Sequence, residues 1–284
     1  MISYPMRKQN VILIMADDFG YECIEANGGR SYSTPNFNRM AENGVRFSHC
    51  FGQPLCTPSR VQIMTGKYND KNYEGFGYLP IGERTFGNLF QEQGYHTCIT
   101  GKWQLNNIGK DEAGRKDRKR FQKFGFDESC MWQMTETRQA GERYANPLID
   151  TNGEDLRVHE DAYGPDIFCN YGLDFIERHQ NEPFFWYYPM VLTHDPFFMT
   201  PHSKEWATGD REAERLEYFR DMVEYTDHLI GRIIRIYDIE ADLFEKEPLP
   251  DDDPVVANIR SQYEPVFNSR PSWEDCLKRM ESPA

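Results

Sequence analysis

The stretch "NVILIMADDFGY", residues 10–21, decides the fold expected for this chain. Its first half, "NVILIM" (10–15), is an apolar run with the length and composition of a buried strand, and Asp17 and Asp18 follow it almost at once. Sheets built from such strands are covered by helices and bind ligands beyond the carboxyl ends of the strands. The stretch therefore predicts a sheet and, at its edge, the first two candidates for a functional site.

Helices and strands are predicted to alternate along the rest of the chain. Further strands are expected at "YHTCIT" (95–100) and at the strongly apolar "PFFWYYPMVLTH" (183–194). Helices are expected at 34–44 with Thr34 as cap and Pro35 first, at 59–66, at 84–94 with Thr85 as cap, at 165–179 and from about 212 to 237. This alternation predicts an α/β fold, a three-layer sandwich with an open, mostly parallel sheet.

The last predicted helix carries apolar residues at helical spacing. They are expected to form its buried stripe: Leu216, Phe219, Val223, Leu229, Ile233 and Ile236. Residues 1–238 are predicted to form the α/β domain, and the acidic segment 239–284 to be a linker and a remnant C-terminal tail.

Composition limits the classes of function. The chain has 284 residues, and 32 Lys and Arg against 46 Asp and Glu give a net charge of −14, so nonspecific nucleic-acid binding is not expected. An anionic ligand would need a local positive pocket. The N-terminus lacks a signal-peptide pattern and no segment is apolar enough to span a membrane, which predicts a cytoplasmic protein without membrane contacts. Seven cysteines without C-x-x-C pairs predict reduced thiols.

Three predicted strand ends carry chemically useful side chains. Asp17 and Asp18 follow the first strand, Lys102 lies in "GKWQLN" after the second, and His194 lies in "THDPF" after the aromatic strand. Because the carboxyl ends of parallel strands meet at one edge of a sheet, separate segments are expected to bring carboxylates, an ammonium and an imidazole to one rim.

A cysteine stands in the motif C-T-P-S-R, in "FGQPLCTPSRVQIMTGKY" (51–68), with no nearby metal partner. Together with "NVILIMADDFGY", "STPNFNRMAENGVRFSHCF", "GYHTCITGKWQLN", "FGFDES" and "THDPF", this motif resembles the type I sulfatases of the alkaline phosphatase superfamily. The likeness covers residues 10 to about 198 in the family's order, and a long helix extends it to about 235. It implies an alkaline-phosphatase-like sheet.

The resemblance also implies a mechanism for cleaving a sulfate ester. Cys56 would be converted by a maturation enzyme to Cα-formylglycine, whose hydrate attacks sulfur with one hydroxyl and expels sulfate through the other. Calcium, or magnesium, would be bound by Asp17, Asp18 and the modified residue 56. Arg60 would hold the hydrate and a sulfate oxygen, whereas Lys102 and His194 would contact sulfate and assist the leaving oxygen. Asp195 is given no role.

Two departures from the family pattern bear on activity. Gln104 stands where the family usually has a histidine that manages the proton of the hydrate, and glutamine cannot accept that proton. After "YTDHLIGRIIR" (225–235) the family's Asp-Asn metal ligands and later lysine do not follow, and the acidic "IYDIEADLFEKEPLPDDDP" comes instead. Because these metal ligands are missing and Gln104 cannot accept the proton, weak calcium binding and slow turnover are expected. The sheet is expected to be shortened on its C-terminal side, and the chain is expected to self-associate through the exposed strand edge, as a homo-oligomer.

Three functions remain open from the sequence. The first is a sulfuric ester hydrolase for a sulfated small molecule or saccharide, and the second is a noncatalytic relative that binds anions or a partner protein. The third is a phosphate or phosphonate ester hydrolase on the same scaffold. Cys56 in a complete maturation motif favours the first, whereas Gln104 and the missing Asp-Asn pair favour the second. The basic run 114–123 is either an attraction for an anionic substrate or a solvated surface.

Overall fold

The computed structural model describes residues 8–106, 116–132 and 142–236. Within these ranges one six-stranded sheet has the order β1-β6-β2-β3-β4-β5. The strands are β1 Val11–Met15, β2 His96–Lys102, β3 Glu128–Trp132, β4 Leu148–Thr151, β5 Asp155–Val158 and β6 Phe184–Pro189. β1, β6, β2 and β3 run parallel, and β4 is antiparallel to both of its neighbours, β3 and β5. The predicted open, mostly parallel sheet is confirmed.

Helices connect these strands. They are α1 Pro35–Glu42, α2 Cys56–Thr65, α3 Asn69–Asn72, α4 Phe86–Glu92, α5 Gly164–Arg178 and α6 Tyr218–Ile236, with 3-10 turns at Tyr21–Cys23, Glu25–Asn27 and Arg120–Phe124. Thr85 caps α4 as predicted, because its hydroxyl accepts from the Asn88 amide and the Asn88 side chain accepts from the Thr85 amide. Thr34 and Pro35 begin α1 as predicted, although its C-cap is Asn43 and not Gly44.

Two hydrophobic clusters lie on opposite faces of the sheet and make the fold three-layered. Alternate residues of β6 point to opposite faces, so Trp186 joins a cluster with α5 and α6, and Tyr187 joins one with α2 and α4. Burying each such aromatic side chain contributes about 1.5–3 kcal/mol. Helix α5 approaches β6 so closely that a Cβ on Gly172 would lie 1.9 Å from a ring carbon of Trp186. The three-layer prediction is therefore confirmed, and the cores fix the strand ends in place.

The long helix was predicted to begin too early. It starts at Tyr218 rather than near 212, and the side chain of Leu216, assigned to the buried stripe, is 79% exposed. The reason is tertiary: the Arg215 amide donates to the Phe197 carbonyl, which holds residues 211–217 in turns before the helix. Val223, Leu229 and Ile233 are buried as predicted, and Phe219 is partly buried. The side chain of Ile236 lies outside the described residues.

Helix α2 was predicted from Ser59 but begins at Cys56. The predicted tail 239–284 lies outside the described residues, so the domain boundary at 238 stays a prediction. In the described ranges, the model has no helix whose length and apolar character suit a membrane crossing.

Candidate active site

The loops after β1 and β6 are joined by backbone hydrogen bonds at the carboxyl edge of the sheet. The Asp17 amide donates to the Leu192 carbonyl at 2.8 Å, and the Thr193 amide donates to the Asp17 carbonyl at 2.6 Å. These bonds turn Asp17 into the protein, where its side chain is 2% exposed, whereas that of Asp18 is 56% exposed. The two predicted metal ligands therefore have opposite environments.

Asp17 lies between two buried cations. The Lys102 ammonium, at the end of β2, is 2.5 Å from Asp17 Oδ2, and Arg60 Nη2, from α2, is 3.3 Å from Asp17 Oδ1. Arg60 Nη1 also donates to the Lys102 carbonyl at 3.0 Å, so helix and strand are tied together. One carboxylate thus faces two positive charges inside the protein. An uncompensated buried charge is costly, so this arrangement favours binding of an anion.

The charges of this cluster are coupled. Burial would raise the pKa of Asp17, but the Arg60 guanidinium and the Lys102 ammonium together hold that pKa below its ordinary value, and Asp17 is a carboxylate. Burial lowers the pKa of Lys102, and Arg60 adds to this while Asp17 opposes it. Lys102 therefore gives up a proton more readily than an exposed lysine.

The residues of C-T-P-S-R have distinct local roles. Cys56 is the first residue of α2, where unpaired amide groups favour negative charge, and Pro58 lies in the first turn, where a missing N–H costs nothing. The Ser59 hydroxyl donates to the Leu55 carbonyl at 2.8 Å and secures the start of the helix. Arg60 follows Cys56 by one helical turn and so lies on the same side. The motif places a thiol and a guanidinium side by side at a helix start.

Three residues at the same edge have left-handed backbone conformations. Gly101 has φ +115, and a Cβ there would lie 2.1 Å from the Pro189 carbonyl oxygen, so only glycine fits between β2 and β6. Asp18 and Gln104 have φ of 50° and 52°, in the left-handed region that costs non-glycine residues about 1 kcal/mol or more. The strained Gln104 directs its Oε1 to Cys56 Sγ, 3.4 Å away. Gln104 therefore takes the place beside Cys56 that the resemblance assigns to a histidine.

His194 lies at the rim above this cluster. Its Nε2 is 3.6 Å from Asp18 Oδ2, and its Nδ1 is 2.9 Å from Asp195 Oδ1. Asp195, given no role from the sequence, is thus a direct neighbour of His194. Asp18, His194 and Asp195 together offer three ligand atoms within 4.8 Å of one another.

Two residues that sequence reasoning missed support His194. Arg143 Nη2 lies 3.4 Å from His194 Nδ1 and donates to the Asp195 carbonyl, and its guanidinium stacks 4.5 Å from the Trp132 ring centroid. The hydroxyl of Tyr144 lies between the carbonyls of Val191, at 2.9 Å, and His194. Both residues precede β4, a short strand that the pattern did not predict, so no sequence signal pointed to them.

The carboxylates at this edge suit a hard divalent cation. Asp17 and Asp18 supply oxygen ligands of the kind that calcium and magnesium prefer, so the residues fit the implied metal. Both oxygens of Asp17 already contact cations, so a metal would share this carboxylate with Lys102 and Arg60. Calcium binds about six to eight oxygens, and among the described residues Asp17 and Asp18 supply only part of that number.

The basic run 114–123 does not form a free positive surface where it is described. Arg118 pairs with Asp150, Lys119 with Glu154 at 2.8 Å, and Lys123 with Asp117 at 2.6 Å. Arg120 is buried and donates to the Leu79 carbonyl at 2.7 Å, so the described part of the run is a mixture of surface ion pairs and one buried arginine, and not a positive surface for an anionic substrate.

Fold and site together define a three-layer α/β protein with a carboxylate and two cations at the carboxyl edge of a parallel sheet. The chain belongs to the sulfatase family: the family model described as Sulfatase matches residues 9–238. It is 29% identical to N-acetylglucosamine-6-O-sulfatase of Bacteroides thetaiotaomicron over 199 residues, which is 69% of this chain and 32% of that protein. It is 28% identical to human N-acetylgalactosamine-6-sulfatase over 259 residues, 80% of this chain and 46% of that protein.

A solved structure shares the fold. BT4656, in complex with its substrate D-glucosamine-2-N,6-O-disulfate, has a TM-score of 0.65 and 21% identity over 84% of this chain and 63% of that one. The aligned part of this chain covers 32% and 46% of the two curated relatives, so the chain spans less than half of their length. The predicted family and the predicted fold are both confirmed.

Proposed function

We propose that this chain is the core of a sulfuric ester hydrolase that cleaves a sulfate monoester. The observation that carries the proposal is the placement of Cys56, in its maturation motif, at the start of α2 beside an excess of buried positive charge from Arg60 and Lys102. A sulfate monoester is an anion, so nearby positive charge would bind it and would stabilise the negative charge that develops in the transition state.

The two groups that the family implies would each supply one element of the chemistry. Formylglycine at residue 56 supplies a hydrated aldehyde as nucleophile and a route for releasing sulfate. Calcium or magnesium, bound by Asp17, Asp18 and residue 56, supplies positive charge next to the sulfate oxygens.

The chain's own residues would bind the anion and move protons. Among the described residues, Arg60 Nε is buried without a hydrogen-bond partner, whereas Nη2 is paired with Asp17 Oδ1 at 3.3 Å, so Nε is the donor that we assign to a sulfate oxygen. Lys102, with its lowered pKa, would protonate or hydrogen-bond the bridging oxygen. His194, open at the rim, would donate a proton to the leaving oxygen. Gln104 would hydrogen-bond the hydrate but would not accept its proton, so turnover should be slow.

The substrate class we propose is a sulfated saccharide. The names of the two relatives and the ligand of BT4656 refer to sulfated amino sugars, which supports this class for the chain.

A formylglycine-generating enzyme is the proposed maturation partner, and the cytoplasm is the proposed location. A homo-oligomer is proposed because β1 is an edge strand of the described sheet with all five residues only partly buried.

The test is to produce the chain with an active maturation enzyme and to follow residues 54–60 by peptide mass spectrometry. We expect conversion of Cys56 and slow, metal-dependent hydrolysis of an aryl sulfate, both absent in the Cys56→Ala variant. Conversion without any sulfate hydrolysis would favour a noncatalytic anion-binding protein. Faster hydrolysis of a matched aryl phosphate or phosphonate would favour the third function and overturn the sulfatase proposal.

A further inference from the structure

Two histidines and a glutamate meet at the amino edge of the sheet, at the other end of β2 from Lys102. His96 is the first residue of β2, His179 directly follows α5, and Glu182 lies two residues before β6. With about 3.3 Å per strand residue, the seven residues of β2 separate this edge from the active site by about 20 Å. The cluster is therefore independent of the catalytic residues.

The three side chains have the geometry of ligands to a single ion. His96 Nε2 lies 3.2 Å and His179 Nδ1 3.1 Å from the same oxygen, Glu182 Oε2. The ligand atoms all lie within 4.8 Å of one another. In a tetrahedral zinc shell with bonds of about 2.0–2.1 Å, neighbouring ligand atoms are about 3.3 Å apart. Both nitrogen–oxygen separations are close to that value, so the three ligand atoms are near enough to share one ion once the imidazole rings reorient.

A second carboxylate orients His179. Its other nitrogen, Nε2, is 3.6 Å from Glu128 Oε1, and Glu128 is itself held by both terminal nitrogens of Arg178 at 2.7 and 2.8 Å. Histidines that bind metals commonly direct the second ring nitrogen to a carboxylate, which fixes the ring and increases the basicity of the ligating nitrogen. The ring of His96 also stacks on that of His179 with centroids 4.1 Å apart. Near-parallel stacked rings cannot both direct a nitrogen at one ion, so His96, the more exposed ring, has to turn away from His179 when an ion binds.

The cluster is open to solvent on one side. His96 and Glu182 are 44% and 55% exposed, whereas His179 is 14% exposed. An ion can enter from solvent, and water can complete a four-coordinate shell. Two imidazoles and a carboxylate are ligands typical of zinc, and they differ from the all-oxygen set of calcium sites.

We propose that His96, His179 and Glu182 bind one divalent transition-metal ion of the zinc class, with water as fourth ligand and Glu128 as the group that positions His179. The ion connects the start of β2 to the end of α5 and the turn before β6. Its role is structural, because it joins ligands from three segments at the amino edge of the sheet. The site does not depend on the hydrolase activity proposed above.

The experiment is calorimetric titration of the full chain, freed of metal, with zinc chloride alone. We expect one site that disappears in His96→Gln and in His179→Gln, and a rise in melting temperature with zinc that those variants lose. His159→Gln is the matched control and should bind zinc as the wild type does. Glu128→Gln should weaken zinc affinity by about ten- to hundredfold and leave the stoichiometry at one.

Cobalt in place of zinc provides a second readout, because four-coordinate cobalt with nitrogen and oxygen ligands absorbs visible light. We expect this absorption in the wild type and its loss in His179→Gln, with unchanged circular dichroism for the metal-free proteins. Zinc binding that survives in His96→Gln and His179→Gln but is lost in His194→Gln would assign the ion to the carboxyl edge and overturn the proposal. Absence of zinc binding by the wild type would also overturn it.

Discussion

The two ends of β2 carry similar kinds of side chain in opposite environments. At the carboxyl end, Asp17, Arg60 and Lys102 are almost completely buried, and one carboxylate faces two cations. At the amino end, Glu128 and Arg178 form a bidentate ion pair that is partly open to solvent, since their side chains are 24% and 42% exposed. Burial, rather than residue type, determines which of these charge clusters is costly to disturb and available for chemistry.

The difference follows from solvation. A buried charge that loses its partner cannot be stabilised by water, whereas an exposed one can. The excess positive charge at the carboxyl end therefore favours binding of an anion, whereas the exposed ion pair at the amino end is screened by solvent.

The largest effect is expected for Asp17→Asn. Removing this carboxylate leaves Lys102 and Arg60 buried without a counter-charge, which should lower the free energy of unfolding by about 3–5 kcal/mol. Urea unfolding of the metal-free chain measures this. Asp195→Asn is the control, because that side chain is 65% exposed and should cost less than about 1 kcal/mol. Equal losses in the two variants would contradict the comparison.

Acid should remove the same contribution. The pKa of Asp17 is lowered on folding, so its stabilising effect is complete above its unfolded value of 3.8 and is lost as the pH falls through the lower folded value. The difference in unfolding free energy between wild type and Asp17→Asn should therefore be constant above about pH 5 and shrink below pH 3.8. A difference that persists unchanged at pH 2 to 3 would show that the carboxylate charge is not its source.

The next effect is expected for Arg143→Gln in the modified, metal-loaded chain. Arg143 contacts His194 and the Asp195 carbonyl, so its loss should displace the imidazole and lower kcat for an aryl sulfate by roughly a hundredfold. Arg178→Gln, at the opposite edge, is the control and should leave kcat unchanged. Steady-state kinetics with a parallel unfolding curve separates lost positioning from lost folding. A kcat that stays at the wild-type value would exclude this role.

A smaller effect is expected for Gln104→His. Histidine tolerates the left-handed backbone at this position, so the variant should fold normally. It restores a proton acceptor beside Cys56 but adds no metal ligand, so kcat should rise by less than about tenfold. Recovery by several hundredfold would mean that Gln104 alone limits turnover.

The smallest effect is expected for Arg178→Gln on stability. Its ion pair with Glu128 is partly exposed, so the loss should be about 0.5–1 kcal/mol and should diminish in high salt. Urea unfolding at low and at high salt measures both quantities. A loss as large as that of Asp17→Asn would show that the amino end is not governed by solvent screening.

Much of the fold could be predicted because its signals are local. The apolar runs of β1 and β6 predicted strands, and Thr85 and Pro35 predicted where helices begin. Strand β3 and the antiparallel β4 and β5 were missed because segments of four or five residues carry little periodicity. Leu216 shows the opposite error, since helical spacing continued into a segment that a hydrogen bond to Phe197 holds in turns.

The sequence by itself determined the family, the alternation of strands and helices, and the motif that starts α2 with Cys56 and places Arg60 one turn later. Only the tertiary structure decided that Asp17 and not Asp18 is buried between Lys102 and Arg60, that Gln104 faces Cys56, and that Arg143 supports His194. It also decided that His96, His179 and Glu182 meet. The physical reason is that β6 lies between β1 and β2 although it comes after the other five described strands in sequence. Sequence patterns indicate secondary-structure propensity and burial over a few residues. The strand order instead arises from the packing of two cores on the opposite faces of one sheet.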